Sequence, residues 1–209
     1  MDPEDRDTWI TQHRPLRVME MWTWKQEILK QSASEGWLPG KAISIETGFD
    51  LRSQTGQQEA REEVAKFQPD LLVMAFPCSP WSQLQNLQRD KGVVAAKRRR
   101  DRTFLAFARE MADYQNSRGK GFLIENPVAS KAWNEKPMQT HYRFVACDMC
   151  RFGLKDPWTK RPLKKRTDLM TNLRGLADFM ATQKCACSPE TEHTHIVGST
   201  WLQEARGNT

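Results

Sequence analysis

Apolar and polar positions change period several times along the chain, and each change predicts an element. Residues 16–21 alternate weakly and predict a first strand, and residues 25–36 predict a helix that Gly36 closes. Residues 42–45 predict a second short strand. Ser53 and Thr55 can cap a helix over 56–67, which is rich in Gln, Glu and Ala and is ended by Pro69. Residues 70–76 then form an unbroken apolar run of strand length bounded by prolines, the pattern of a strand buried on both faces of a parallel sheet. A helix over 96–116 carries Phe104, Leu105, Phe107, Ala108 and Met111 on one side, and residues 121–124 are a further short buried strand. Beyond Pro127 the pattern changes: residues 141–147 and 166–172 read as strands with no helix-length periodicity between them.

Alternating strands and helices imply an α/β fold, a Rossmann-like, mostly parallel sheet with helices on both faces. The two strands after Pro127 imply an antiparallel C-terminal edge. In such sheets ligands bind beyond the carboxyl ends of the strands. Cys78 and Glu125 each fall just past the end of a predicted strand.

Composition narrows the class. The chain has 209 residues, 38% hydrophobic and 28% charged, with eight tryptophans, which suits one globular domain with much polar surface. Residues 1–14 read as a flexible N-terminal arm, residues 15–175 as the α/β domain, and residues 176–209 as a Cys- and His-containing C-terminal tail. No window approaches the roughly 20 apolar residues that span a bilayer, and the start Met-Asp-Pro-Glu-Asp is not a signal peptide, so the expected setting is intracellular, with no membrane partner. The net charge of +6 is concentrated in Lys97 to Arg100 and in the stretch from Lys160 to Arg166, and polyanions are the natural partners of such patches. Five cysteines argue against a disulfide framework in a reducing compartment and leave thiol chemistry or metal ligation as their uses.

Cys78 stands in Phe76-Pro77-Cys78-Ser79-Pro80-Trp81-Ser82, where two prolines stiffen the turn around the thiol. Its plainer use is that of a small buried hydrophobe, and the plainer use of Glu125 is to cap a helix beginning near Val128. Together, residues 70–82 (Asp-Leu-Leu-Val-Met-Ala-Phe-Pro-Cys-Ser-Pro-Trp-Ser) and 121–127 (Gly-Phe-Leu-Ile-Glu-Asn-Pro) resemble the catalytic core of the DNA cytosine-5 methyltransferases. Gly48-Phe49-Asp50-Leu51 resembles that family's adenine-contacting segment, and the likeness runs over about residues 42–130. It implies Cys78 as a nucleophile that adds to carbon-6 of a pyrimidine, Glu125 as the acid near ring nitrogen 3 and Asn126 as its orienting partner. It further implies S-adenosylmethionine as cofactor, contacted by Glu46, Asp50, Phe76 and Pro77. Arg98, Arg99 and Arg100 correspond to a loop that closes on nucleic acid, with Arg166 a further phosphate contact and Trp81 a stacking surface for a flipped base.

The chain departs from that family at three places. Its glycine-rich motif after the first strand is replaced by Val18-Met19-Glu20-Met21-Trp22-Thr23-Trp24, where Trp22 and Trp24, like Trp37, suit packing against the sheet. The interval from Glu46 to Asp50 is too short for a separate strand and helix, and too little chain follows Arg166 for a target-recognition domain. The same combination resembles methyltransferase-like segments of retroelement polyproteins.

A second constellation lies near the C-terminus: Cys147 and Cys150, Cys185 and Cys187, His193 and His195. At most four of these six can make a tetrahedral Zn²⁺ site, which would pin the tail. Three functions follow from these features. The first is methylation of a pyrimidine base through Cys78; the second, an inactive methyltransferase-like domain that binds nucleic acid; the third, a zinc-stabilised interaction module.

Overall fold

The computed structural model describes residues 15–23 and 25–195; the expected arm at 1–14, Trp24 and the side chain of His195 lie outside the described residues. A six-stranded mixed sheet has the order β2-β1-β3-β4-β7-β5. Its strands are β1 Arg17–Met21, β2 Leu38–Pro39, β3 Leu71–Met74, β4 Gly121–Pro127, β5 Arg143–Asp148 and β7 Arg166–Thr171. A separate pair joins β6 Leu163–Lys164 to β8 Thr194–His195 in parallel. The helices are α1 Glu27–Ser34, α2 Gln54–Phe67, α3 Lys91–Ser117 and α4 Arg174–Thr182.

The first four strands are parallel. From β1 the chain steps outward through α1 to β2, then returns through α2 to β3 on the other side of β1, and on through α3 to β4. Crossovers that keep one hand while reversing direction must cover opposite faces. Leu29 of α1 accordingly packs with Val18 and Ala42 on one face, whereas α2 and α3 place Val64, Phe104, Phe107 and Met111 against Met19, Met21, Leu72, Phe122 and Ile124 on the other. The direction changes between β1 and β3, so the crevice above their carboxyl ends is the topological switch point. At the opposite end, Asp70 accepts from the Arg17 amide and pairs with Lys120, tying the starts of β1, β3 and β4.

After β4 the chain skips one position to form β5, and β7 returns antiparallel to both in the gap. The reversed strand is therefore interior, not marginal. Helix α4 crosses the boundary expected at 175 and packs on β5.

Several expected elements shift. Residues 42–45 form no strand beyond a single bridge from Ile43 to Met21, because Ser44 and Thr47 close a capping box on a short 3₁₀ turn there. The partner of β1 is instead Leu38–Pro39. Helix α3 starts five residues earlier than 96, where the Asp90 carboxylate accepts from the Gly92 and Val93 amides. No helix begins near Val128; Ser130 caps a short 3₁₀ turn over Lys131–Asn134. In α2, Ser53 is the cap, accepting from Gly56 at 2.9 Å, and Thr55 lies within the helix.

Gly56 marks the closest approach between α2 and the loop before it. A methyl group there would lie well inside 3.0 Å of the Asp50 carbonyl oxygen. Alanine in place of helical glycine ordinarily stabilises by about 1 kcal/mol. Here we expect Gly56→Ala to lower the thermal unfolding midpoint by several degrees, the size of a destabilisation of about 1–2 kcal/mol.

Candidate functional site

Past β3 the chain runs through Ala75, Phe76 and Pro77, and Cys78 opens a single 3₁₀ turn, Ser79–Trp81. Two anchors fix the turn. The buried Phe76 ring meets Trp22 and Trp133 edge-on at centroid distances of 6.5 and 6.3 Å. Arg98 of α3 donates to the Pro80 carbonyl at 2.9 Å and sets its guanidinium over Trp81. The Cys78 side chain is half-buried at the mouth of this turn.

Strand β4 outruns its expected end because pairing with β7 continues to Pro127 opposite Thr167. Alternation along a strand sends Asn126 to the same face as Phe122 and Ile124, and sends Glu125 to the other. Asn126 is fully buried, and its Nδ2 donates to the Phe76 carbonyl at 3.1 Å. The two loops are thus joined through Asn126, while the half-buried Glu125 carboxylate receives Lys165 Nζ at 3.3 Å. Lys165 had no motif to announce it; only its place in a basic run pointed to an anion.

The expected cofactor contacts do not converge. Glu46 is exposed on the 3₁₀ turn Ile45–Thr47. Asp50 accepts from the Arg52 side chain at 3.0 Å and its amide at 3.1 Å, which holds its carboxyl below the usual range. The Phe76 ring belongs to the core and Pro77 is exposed. Above the ends of β1 and β3, the Trp22 indole packs edge-on against Phe76, Phe104 and Phe107. Its backbone takes a left-handed φ of 60°, with its amide donating to the Ile43 carbonyl at 2.9 Å. Glu20, buried at the end of β1, accepts from the Leu29 amide in the first turn of α1 at 3.2 Å. Burial pushes its carboxyl above the usual range. Beside the switch point, where a glycine-rich loop would admit a cofactor, the chain places the half-buried Trp22 indole on one face and the Glu20 carboxyl on the other. These residues do not fit S-adenosylmethionine bound in the family's manner. A concavity of about 420 Å³ adjoins the segment expected to contact adenine and is lined by Gly48, Phe49 and Glu62; another of about 460 Å³ is lined by Arg61, Glu110 and Tyr114.

Of the expected nucleic-acid residues, Arg99, Arg100 and Arg166 are exposed, with Arg100 also paired to the buried Asp101 at 2.6 Å. Trp81 is 0% exposed, so its ring is a core element and offers no open face to a base.

At the carboxyl end of β5 the structure gathers Cys150, Cys185, Cys187 and His193, with one ligand atom from each lying within 4.8 Å of all the others. Three sulfurs and an imidazole at this spacing can hold a metal ion, since Zn–S bonds of about 2.3 Å imply tetrahedral edges of about 3.8 Å. Cys147 is excluded: it faces inward from β5, fully buried, and burial raises its thiol pKa. Burial and then the adjacent Cys185 push Cys150 up to about 12, whereas the Cys187 amide beside Cys185 holds that thiol below its usual range. Asp148, missed by spacing arguments, accepts from the Cys185 amide at 2.9 Å and aims the tail at Cys150.

No protein-family model matches the chain, and no curated protein matches it. Among the described residues no helix is long and apolar enough to cross a membrane.

Asn126→Ala should remove the bond between the Cys78 and Glu125 loops and strand the buried Phe76 carbonyl. We expect a loss of about 1–3 kcal/mol in urea unfolding, whereas Lys165→Met, at a partly exposed pair, should cost under about 1 kcal/mol.

Proposed function

We propose that the chain is a methyltransferase-like α/β domain that binds nucleic acid across the carboxyl ends of β3, β4 and β5, is braced by Zn²⁺, and does not turn over S-adenosylmethionine. The observation that carries this reading is the contrast at that end of the sheet. Trp22 and Glu20 stand where a glycine-rich loop would be, while the surface beyond them is strongly basic. Lys97, Arg99, Arg100 and Arg102 are exposed along α3, whose Arg98 is fastened to the Cys78 turn. On the other flank, residues 149–166 contain seven lysines and arginines against the single acid Asp156. That surplus of six equals the net charge of the whole chain. Neutralising phosphates at such a surface releases counterions and supplies sequence-independent affinity.

A second reading, methylation of a pyrimidine through Cys78, is favoured by one feature: the thiol on a proline-bounded turn is tied through Asn126 to the loop that holds Glu125. Calorimetry separates the two. We expect no heat with S-adenosylmethionine at millimolar concentration, and binding of a fluorescein-labelled oligonucleotide that weakens steeply between 50 and 200 mM salt, as counterion release demands. Micromolar cofactor binding, with methyl transfer abolished by Cys78→Ala, would instead establish the methyltransferase.

Zn²⁺ is the ion that three thiolates and one imidazole suit best. Native mass spectrometry should find one Zn²⁺ per chain. Cys185→Ser or Cys187→Ser should lose it, and chelation should lower the thermal midpoint.

A further inference from the structure

We infer that the excursion between β5 and β7, residues 149–166, is a binding site for single-stranded nucleic acid in which Trp158 stacks on a base and the surrounding lysines and arginines hold phosphates. The inference rests on the nucleic-acid reading above and names the surface and the form of the ligand.

The excursion is a closed loop, not a loose one. Lys155 bridges Pro162, the Asp156 amide donates to the Arg161 carbonyl at 2.9 Å, and Lys160 donates to the Asp156 carbonyl at 2.9 Å. At its tip the buried Asp156 carboxylate accepts from the amides of Trp158 and Thr159 at 2.8 and 2.9 Å. That turn presents Trp158, a residue 53% exposed although indole is a large apolar surface. Phe152, at the other foot of the loop, is 47% exposed. By contrast Trp81 is fully buried and Trp22 and Trp133 pack against the core, while Trp37, expected against the sheet, is 40% exposed beside β2 at the opposite edge from β5.

Along the same excursion, Lys155, Lys160, Arg161, Lys164 and Arg166 are all exposed. Aromatic rings interleaved with cations are the equipment of single-strand binding, where each base offers a π-face and the backbone a row of charges. A duplex keeps its base faces stacked inside, so an exposed indole gains nothing from it. The Cys/His cluster meets one foot and the tail that carries three of its members meets the other. Cys150 lies just past β5, the tail from Cys185 to His193 closes the set, and β8 pairs with β6 while Arg161 meets Glu192 at 2.7 Å. A surface ordered in advance loses less freedom on binding. Through Lys165 on Glu125, the platform also adjoins the end of β4.

The test is fluorescence anisotropy of the zinc-replete chain with 12-nucleotide single strands of DNA and RNA and with the matching duplex, over a salt series. We expect single strands to bind more tightly than the duplex. Trp158→Ala should weaken that binding roughly 5- to 100-fold, the range for loss of one stacked base, and Trp158→Phe should retain most of it. Lys164→Ser with Arg166→Ser should flatten the salt slope by about 1.4 units. Unchanged unfolding midpoint and zinc content in each variant establish that the fold is intact. If Trp158→Ala binds as wild type while Arg99→Ser with Arg100→Ser abolishes binding, the platform is wrong and the nucleic-acid reading stands. If no oligonucleotide binds at low salt, both fall, as they do if only anionic phosphatidylserine vesicles are bound. Preference for the duplex overturns the assignment to single strands.

Discussion

The reversed strand β7 is the constraint on which the arrangement of the functional surface depends. Because β5 skips a position and β7 fills it backwards, β7 begins where β3, β4 and β5 end. Everything inserted between β5 and β7 must therefore emerge at that end. So must the tail, because α4 carries the chain back from the far end of β7 to Asp148, where the Asp148 amide donates to the Gln183 carbonyl at 2.9 Å. That choice thus brings the basic excursion and the Cys/His cluster to the end of the sheet where parallel β3 and β4 already place the Cys78 turn and Glu125.

At the switch point the same sheet geometry creates a crevice, and the chain spends it on packing. A parallel sheet leaves the amides of α1's first turn pointing at that crevice, a place suited to an anionic ligand. Here the acceptor is internal: Glu20 supplies a carboxyl on the α1 face, and on the other face the Trp22 indole stands edge-on to Phe76, Phe104 and Phe107. Opening this space would expose aromatic area and strand a buried carboxylate.

The central elements were legible because buried parallel strands are continuous apolar runs, as at residues 71–74, and because Phe104 to Met111 repeat at helical spacing. The Cys78 and Glu125 positions followed from those strand ends. What failed was local hydrogen bonding that overrides propensity. The Ser44 and Thr47 capping box broke an expected strand, and Asp90 capped a helix earlier than its apolar face began. Trp81 was misread because a tryptophan beside a candidate nucleophile looks like a stacking surface, and only its cover by Arg98 reveals a core residue. Among the six candidate metal ligands, spacing could not separate Cys147 from Cys150. Strand alternation does, turning Cys147 inward and leaving Cys150 just past the strand end.

The tail gives the metal cluster its physical role. Between Gln183 and His195 the only aliphatic side chain besides Pro189 is Ala186, so burial of apolar surface cannot order this segment. Ordering each residue costs about 1–2 kcal/mol of conformational entropy. The hydrogen bonds to Asp148 and Pro162 return about 1 kcal/mol apiece. A structural Cys/His centre contributes on the order of 10 kcal/mol at neutral pH, a scale that side-chain packing here cannot match. The tail in turn supplies Glu192 to Arg161 and β8 to β6. A metal held by Cys150, Cys185, Cys187 and His193 would add to these hydrogen bonds the largest single contribution to the order of the tail.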